Sequence, residues 1–309
     1  MQLANQTLVT YFIIKGISDI PELQVPIFLM VLLIYLITLG GNLAIFILIC
    51  LDHHLHTPMY FFLANLSALD MSTITLALHK ILITFMSGDN TVSFFNCMTQ
   101  VFIFLSLTCD ELLILTAMSY DRYVAICKPL NYPIVMSHRA CALLAISCWS
   151  TGFIELIPSI STLSGFTCYR TNEINHFFCD IVPVMKISCS NTSLLQLYIL
   201  IEGGFLGSVT PFILTFISYI FIIVSIVQIQ SSIGRHKAFY TCSSHLTVVN
   251  LLYGTLIFQY FRPTSADSLK SNKFFALFNT VAVPLPNPLI YSLKNKDVKS
   301  ALKRMLPTQ

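Results

Sequence analysis

Long stretches without a charged side chain constrain this chain more than any other feature. Residues Leu23 to Leu51 contain no Asp, Glu, Lys or Arg, and neither do Gly203 to Gly234. Crossing a hydrocarbon core about 30 Å thick takes about 20 apolar residues at about 1.5 Å of rise each, so such windows are long enough to span a membrane. His53 to His79 is interrupted only by Asp70, and Ala140 to Tyr169 only by Glu155. Asn90 to Cys109 runs past Asp110 and Glu111 into Leu112 to Tyr120, and Ala238 to Phe261 and Phe274 to Leu293 complete the set. The expected fold class is therefore an all-α membrane protein, one domain built as a seven-transmembrane helix bundle, with a short amphipathic helix after the last span. The expected spans are 23–51, 57–80, 94–122, 140–162, 194–228, 238–261 and 272–292, between an outer segment 1–22 and a tail 293–309.

Composition agrees, with 55% hydrophobic and 10% charged residues against about 25% charged in soluble domains. The formal charge of +3 is too small and scattered for a nucleic-acid partner; the lipid bilayer is the expected one. The first 22 residues lack the basic start and short apolar core of a cleaved signal peptide.

Orientation follows from Lys and Arg near the helix ends. One side holds ten: Arg122, Lys128, Arg139, Arg235, Lys237, Lys294, Lys296, Lys299, Lys303 and Arg304. The other holds seven, sharing their segments with acids. The sequons at Asn5 and Asn191 fall on the less basic side, which fits glycosylation there, while a third at Asn65 lies within a span. The amino terminus is thus expected outside. Cys97, Cys168, Cys179 and Cys189 also fall outside, where disulfides form. Four cysteines allow three pairings, and a bridge from the long loop to Cys97 would pin that loop over the bundle mouth.

Acids inside a membrane are expensive and mark function. Asp70, Asp110, Glu111, Glu155 and Glu202 are such residues. Helical stepping up from Arg122 puts Glu111, Thr108 and Phe104 on one face, with Asp110 about 100° away. Glu111 and Asp70 could share a sodium ion or a proton with Asn42, or stand protonated and hydrogen-bonded. Glu155 and Glu202 either face a ligand, preferring a cation, or snorkel to the interface. His53, His54 and His56 read as a solvated loop rather than a metal tract. Pro158, Pro211, Pro284, Pro286 and Pro288 interrupt three spans and free carbonyls that side chains or water must satisfy.

Several strings resemble the rhodopsin-like G protein-coupled receptors: Gly41-Asn42, Leu66 to Asp70, Asp121-Arg122-Tyr123, Trp149, Pro211 with Tyr219, and Asn287-Pro288-Leu289-Ile290-Tyr291. Longer ones resemble the olfactory (odorant) receptors within that class. These are Pro58 to Leu63, Met118 to Cys127, Lys237 to Leu246, Pro288 to Lys296 and His176-Phe177-Phe178-Cys179-Asp180. Ser119 stands where the family usually has Ala, and Tyr240 where it usually has Ser.

The resemblance implies bridges Cys97 to Cys179 and Cys168 to Cys189, and no enzyme activity. It implies a multi-pass plasma-membrane receptor that takes a small, mostly apolar odorant and activates a heterotrimeric stimulatory G protein of olfactory type, raising cyclic AMP. No cofactor is implied beyond an allosteric sodium ion. Expected ligand contacts are Phe104, Leu105, Thr108 and Cys109 on the third helix and Gly203, Gly204 and Gly207 on the fifth. Tyr253, Leu256, Ile257 and Tyr260 would add the sixth, and Asn279 and Thr280 the seventh. Asp121, Arg122, Tyr123, Tyr219, Lys237, His245, Asn287, Pro288 and Tyr291 would form the switch and coupling face, with Asp121 restraining Arg122 at rest. A non-olfactory amine or peptide receptor lacks the long strings. A secondary transporter would show paired interrupted halves, and the seven spans show none.

Overall fold

The computed structural model describes residues 9–18, 20–260, 273, 276–278, 280, 284–285, 287–288, 290 and 296–305. A short strand, β1 (Tyr11–Ile14), precedes the first helix, α1 (Pro21–Leu51). The second, α2 (Pro58–Ser87), also opens on proline, whose fixed φ and missing N–H suit a first turn. After β2 (Thr91–Ser93), α3 (Phe94–Cys127) is capped by Ser93, whose Oγ accepts from the Asn96 N–H. A one-turn helix, α4 (Tyr132–Val135), lies in the following connection.

The spans depart from the expected bounds where proline or capping decides. The second reaches Ser87 rather than 80, and the third Cys127 rather than 122. The fourth is two helices, α5 (His138–Glu155) and α6 (Ile157–Ser164), because Pro158 cannot donate to the preceding turn. The loop strand β3 (Glu173–Ile174) and the short α7 (Ile181–Ile187) follow. The fifth span is composite: α8 (Ser193–Tyr198), a π-helical segment Ile199–Val209, then α9 (Thr210–Gln228), which begins beside Pro211. Ser208 and Thr210 donate to carbonyls five residues back, Gly203 O at 2.6 Å and Phe205 O at 2.9 Å. The sixth, α10 (Ser232–Tyr260), starts earlier than 238, and α11 (Lys296–Met305) closes the described chain.

Among the described residues five helices are long and apolar enough to cross a membrane, namely the first five spans. The described residues between 273 and 290 complete the packing: Ala276 lies in one core cluster with Val31, Ile74, Phe104 and Phe178. A Cβ on Gly41 would meet the Pro288 ring at 2.9 Å, so glycine there lets the last span approach α1.

The all-helical expectation missed a small sheet. Strand β1 pairs antiparallel with β2 and parallel with β3. Its alternation explains it, since Phe12 and Ile14 are buried while Tyr11 is exposed. Lys15 and Glu173 pair at 2.7 Å across the β1–β3 side. The end carrying this sheet is called the upper end below, and the end carrying α11 the lower.

Candidate functional site

At the upper end, disulfides join Cys97 to Cys179 and Cys168 to Cys189. The first ties the long loop to the start of α3, and the Cys179 N–H donates to Gln100 Oε1 at 3.0 Å. Phe177 and Phe178 are thereby driven into the bundle, fully buried, with the Phe178 ring 4.7 Å from that of Phe104. His176 is buried with them, and burial pushes its imidazole down to about 3. The loop is thus a packed stopper over the helices.

Below it, α3 presents acids in two directions. Glu111 faces α1, α2 and the last span. There Asn287 Nδ2 donates to Asp70 Oδ2 at 2.9 Å, and Asn42 Nδ2 donates to Thr38 O and Pro284 O at 3.1 and 3.2 Å. Asp70 Oδ1, Glu111 Oε1, Asn42 Oδ1 and Asn287 Oδ1 are buried acceptors without a donor. Four hard oxygens lacking hydrogens suit a small cation or a shared proton. Among the described residues no group of three or more His, Cys, Asp and Glu side chains is arranged to hold a metal ion.

Asp110, one residue earlier, faces α5. A Cβ on Gly152 would collide with the Asp110 carboxyl and stand 2.9 Å from Ser106 O, so only glycine fits. Beside it, Cys109 Sγ donates to Glu155 Oε2 at 3.6 Å, and Ser159 Oγ donates to Glu202. Glu202 is buried although its neighbours Ile201 and Gly203 are exposed.

Expected ligand residues divide accordingly. Phe104, Cys109, Gly204, Gly207, Tyr253, Leu256 and Thr280 are buried, and Leu105 and Thr108 half-buried. Gly203 is a correction: the π segment turns it outward, with nothing within 4 Å of where a Cβ would stand. Ile257 is another, 54% exposed on the outer face of α10. Thr280 Oγ1 donates to Ala276 O at 2.8 Å, its own preceding turn. Asn279 and the side chain of Tyr260 lie outside the described residues.

At the lower end His245 joins three helices. Its Nε2 lies 3.1 Å from Leu115 O and its Nδ1 2.8 Å from the Tyr219 hydroxyl. A carbonyl only accepts, so Nε2 carries the hydrogen; in the neutral ring Nδ1 then accepts from Tyr219. Asp121 and Arg122 form no ion pair among the described residues. Asp121 Oδ1 accepts from the Tyr132 hydroxyl at 2.8 Å, tying α3 to α4. The Tyr123 ring packs 5.9 Å from that of Phe221 and under the Lys128 ammonium. A groove of about 460 Å³ between α9 and α10 is floored by Ile223, Ile226, Val227 and Phe239 and edged by Arg235 and His236. Tyr291 and the side chain of Lys237 lie outside the described residues, as does Asn5.

This arrangement has close counterparts. A family model described as olfactory receptor matches residues 31–309. The olfactory receptor-like protein COR5 of Gallus gallus is 46% identical over 100% of this chain and 98% of its own length. Human olfactory receptor 8D1 is 42% identical over 99% of both, and mouse olfactory receptor 5AR1 43% over 99% of this chain and 98% of its own. The chain belongs to the olfactory receptor family. Squid rhodopsin superposes with a TM-score of 0.74 over 94% of this receptor and 82% of that chain, at 19% identity, which gives it the seven-helix fold. The receptor is a multi-pass membrane protein of the G protein-coupled class and not an enzyme.

Several residues that organise the receptor escaped sequence reasoning. Thr116 and Thr215 face each other at 3.3 Å between α3 and α9, and Ser119 donates to Thr116 O at 2.7 Å. The Ser that departs from the family's usual Ala is therefore satisfied. Arg304 of α11 donates to Asp52 through Nε at 3.1 Å and through Nη2. That bond and a second one from the His54 N–H hold the Asp52 carboxyl well below the usual range. Nothing in the chain placed Asp52 and Arg304, 252 residues apart, together.

Proposed function

We propose that this receptor sits in the plasma membrane with its amino terminus outside and is activated by a small odorant held among α3, the fifth span and α10. Activation engages a stimulatory G protein of olfactory type and raises cyclic AMP. The observation that carries the reading is the Leu115–His245–Tyr219 junction, which binds α3, α9 and α10 together beneath the proposed pocket and beside Arg122. Ligand contacts with Phe104, Leu105, Thr108, Cys109, Gly204, Gly207, Tyr253 and Leu256 bias these same three helices. Agonist therefore shifts the population between a closed junction and an opened lower face. Arg122, Tyr123, Tyr219 and the groove edged by Arg235 then receive the G protein.

Asp70, Glu111, Asn42 and Asn287 would hold a sodium ion when the bundle is closed, supplying positive charge to acceptors that otherwise lack any. The outer orientation is supported by the disulfides and by Asn191, exposed at the upper end.

Arg122→Ala tests the coupling. Ligand-stimulated cyclic AMP is expected to fall to background while receptor at the cell surface stays measurable, and full signalling in that variant would overturn the reading.

A further inference from the structure

Beyond the Asp70–Glu111 centre, two further acids find no counter-charge among the described residues. Glu155 and Glu202 reach inward from α5 and the π segment, and among the described residues neither pairs with Lys, Arg or His. Each has one neutral donor: Cys109 for Glu155 Oε2, Ser159 for Glu202. Glu155 Oε1 is shut off from solvent and has no partner.

A second, independent group points at the same place from across the bundle. Tyr253 of α10 is 7% exposed, and its hydroxyl lies beside Thr116 without a hydrogen bond of ordinary geometry. It stands near Cys109, the residue bonded to Glu155. Its ring is held edge-on by Phe212, with centroids 5.0 Å apart, so the hydroxyl is fixed rather than free to seek water.

Gly207 packs against this group, and a Cβ there would first meet Glu202 O at 3.1 Å. A Cβ on Gly207 would stand 3.5 Å from Cys109 Sγ and 3.6 Å from Glu155 Oε1. A glycine at that point keeps the fifth span's surface free of a side chain where the unpartnered oxygen lies. The π segment matters here as well, since extra residues per turn bring Glu202, Gly204 and Gly207 to the inner face together.

Buried carboxylates cost heavily without a positive partner, and unpartnered buried acceptors cost again. An uncharged apolar odorant leaves both costs in place. A small ammonium removes both, since its N–H groups match Glu155 Oε1, the Glu202 carboxyl and the Tyr253 oxygen. We infer that the pocket selects amines: the ligand is a small organic cation whose ammonium lies between Glu155, Glu202 and Tyr253. This rests on the receptor reading above and names the chemical class that the same site takes.

The test expresses the intact receptor and compares, by cyclic AMP at neutral pH, a panel of alkyl and aryl amines with the alcohol and aldehyde of each carbon skeleton. At least one amine is expected to be about tenfold or more potent than its uncharged congeners. That ratio should collapse toward one in Glu155→Gln and in Tyr253→Phe; the latter removes a single hydroxyl and keeps the helix packing. Surface-labelled receptor is counted in each variant. Congeners that match or exceed the amine, or an amine preference that survives both substitutions, would overturn the inference while Arg122-dependent responses keep the receptor reading. Silence to the whole panel, with basal binding of a nonhydrolysable GTP analogue that Arg122→Ala abolishes, overturns the amine inference alone. Silence together with no Arg122-dependent nucleotide binding overturns both.

Discussion

Asp110 and Glu111 are neighbours in α3, yet they belong to two different polar centres. Glu111 joins Asp70 among α1, α2 and the last span, where the bracing groups are the amides of Asn42 and Asn287. Asp110 turns to α5, beside a centre braced only by a thiol and a hydroxyl, Cys109 and Ser159. Each centre lies where glycine lets two helices meet, Gly41 against Pro288 and Gly152 against Asp110. Amides donate and accept in fixed directions, so the first centre is held in one geometry. A thiol is a weak donor, so the second centre is held less firmly, although both centres keep buried oxygens without a donor.

The comparison can be broken first at its glycines. Gly152→Ala places a methyl against Ser106 O and the Asp110 carboxyl; a loss of about 3 kcal/mol is expected, read as a lower melting temperature and less receptor at the cell surface. Gly41→Ala should cost less, because its obstacle is the edge of the Pro288 ring rather than backbone. Next comes the bracing. Asn287→Ala strips Asp70 Oδ2 of its donor in a buried site and should destabilise by about 2 kcal/mol, whereas Ser159→Ala, leaving Glu202 beside ligand space, should cost less by the same thermal assay.

His176 touches neither centre and provides a reference. Its imidazole falls from 6.5 to about 3 on burial, so the fold holds the neutral form. Stability is complete above about pH 6.5 and declines as pH falls toward 3, by at most about 1.4 kcal/mol per unit. Melting of purified receptor at neutral and acid pH, with and without His176→Gln, measures that slope.

The smallest effect should come from sodium. Replacing it with a bulky organic cation is expected to shift agonist potency about fivefold, close to 1 kcal/mol. Glu111→Gln should abolish the dependence and Glu155→Gln should retain it. A dependence that moved instead with Glu155 would merge the two centres into one.

Much of the receptor was legible in its chain, and the misses share a cause. Stepping 3.6 residues at a time along α3 separated Asp110 from Glu111, because that helix is unbroken from Phe94 to Cys127. The same arithmetic failed in the fifth span, where the π segment shifts the phase and turns Gly203 outward while Gly204 and Gly207 stay inside. Ile257 failed because four residues at helical spacing on α10 still cover more arc than a pocket needs. The hydrogen bond from Tyr132 to Asp121 was not foreseen, because it comes from a one-turn helix that no periodicity announced.

The sequence by itself determined the solvent, the spans and the rarity of charge within them, since these depend on composition summed over a window. It also carried, in its long strings, the family. The tertiary structure decided that Asn287 braces Asp70, that Cys109 and Ser159 brace Glu155 and Glu202, and that His245 couples Leu115 to Tyr219. Those facts join residues far apart in the chain, and each depends on the phase of two helices at their point of contact, which breaks at proline and π turns reset.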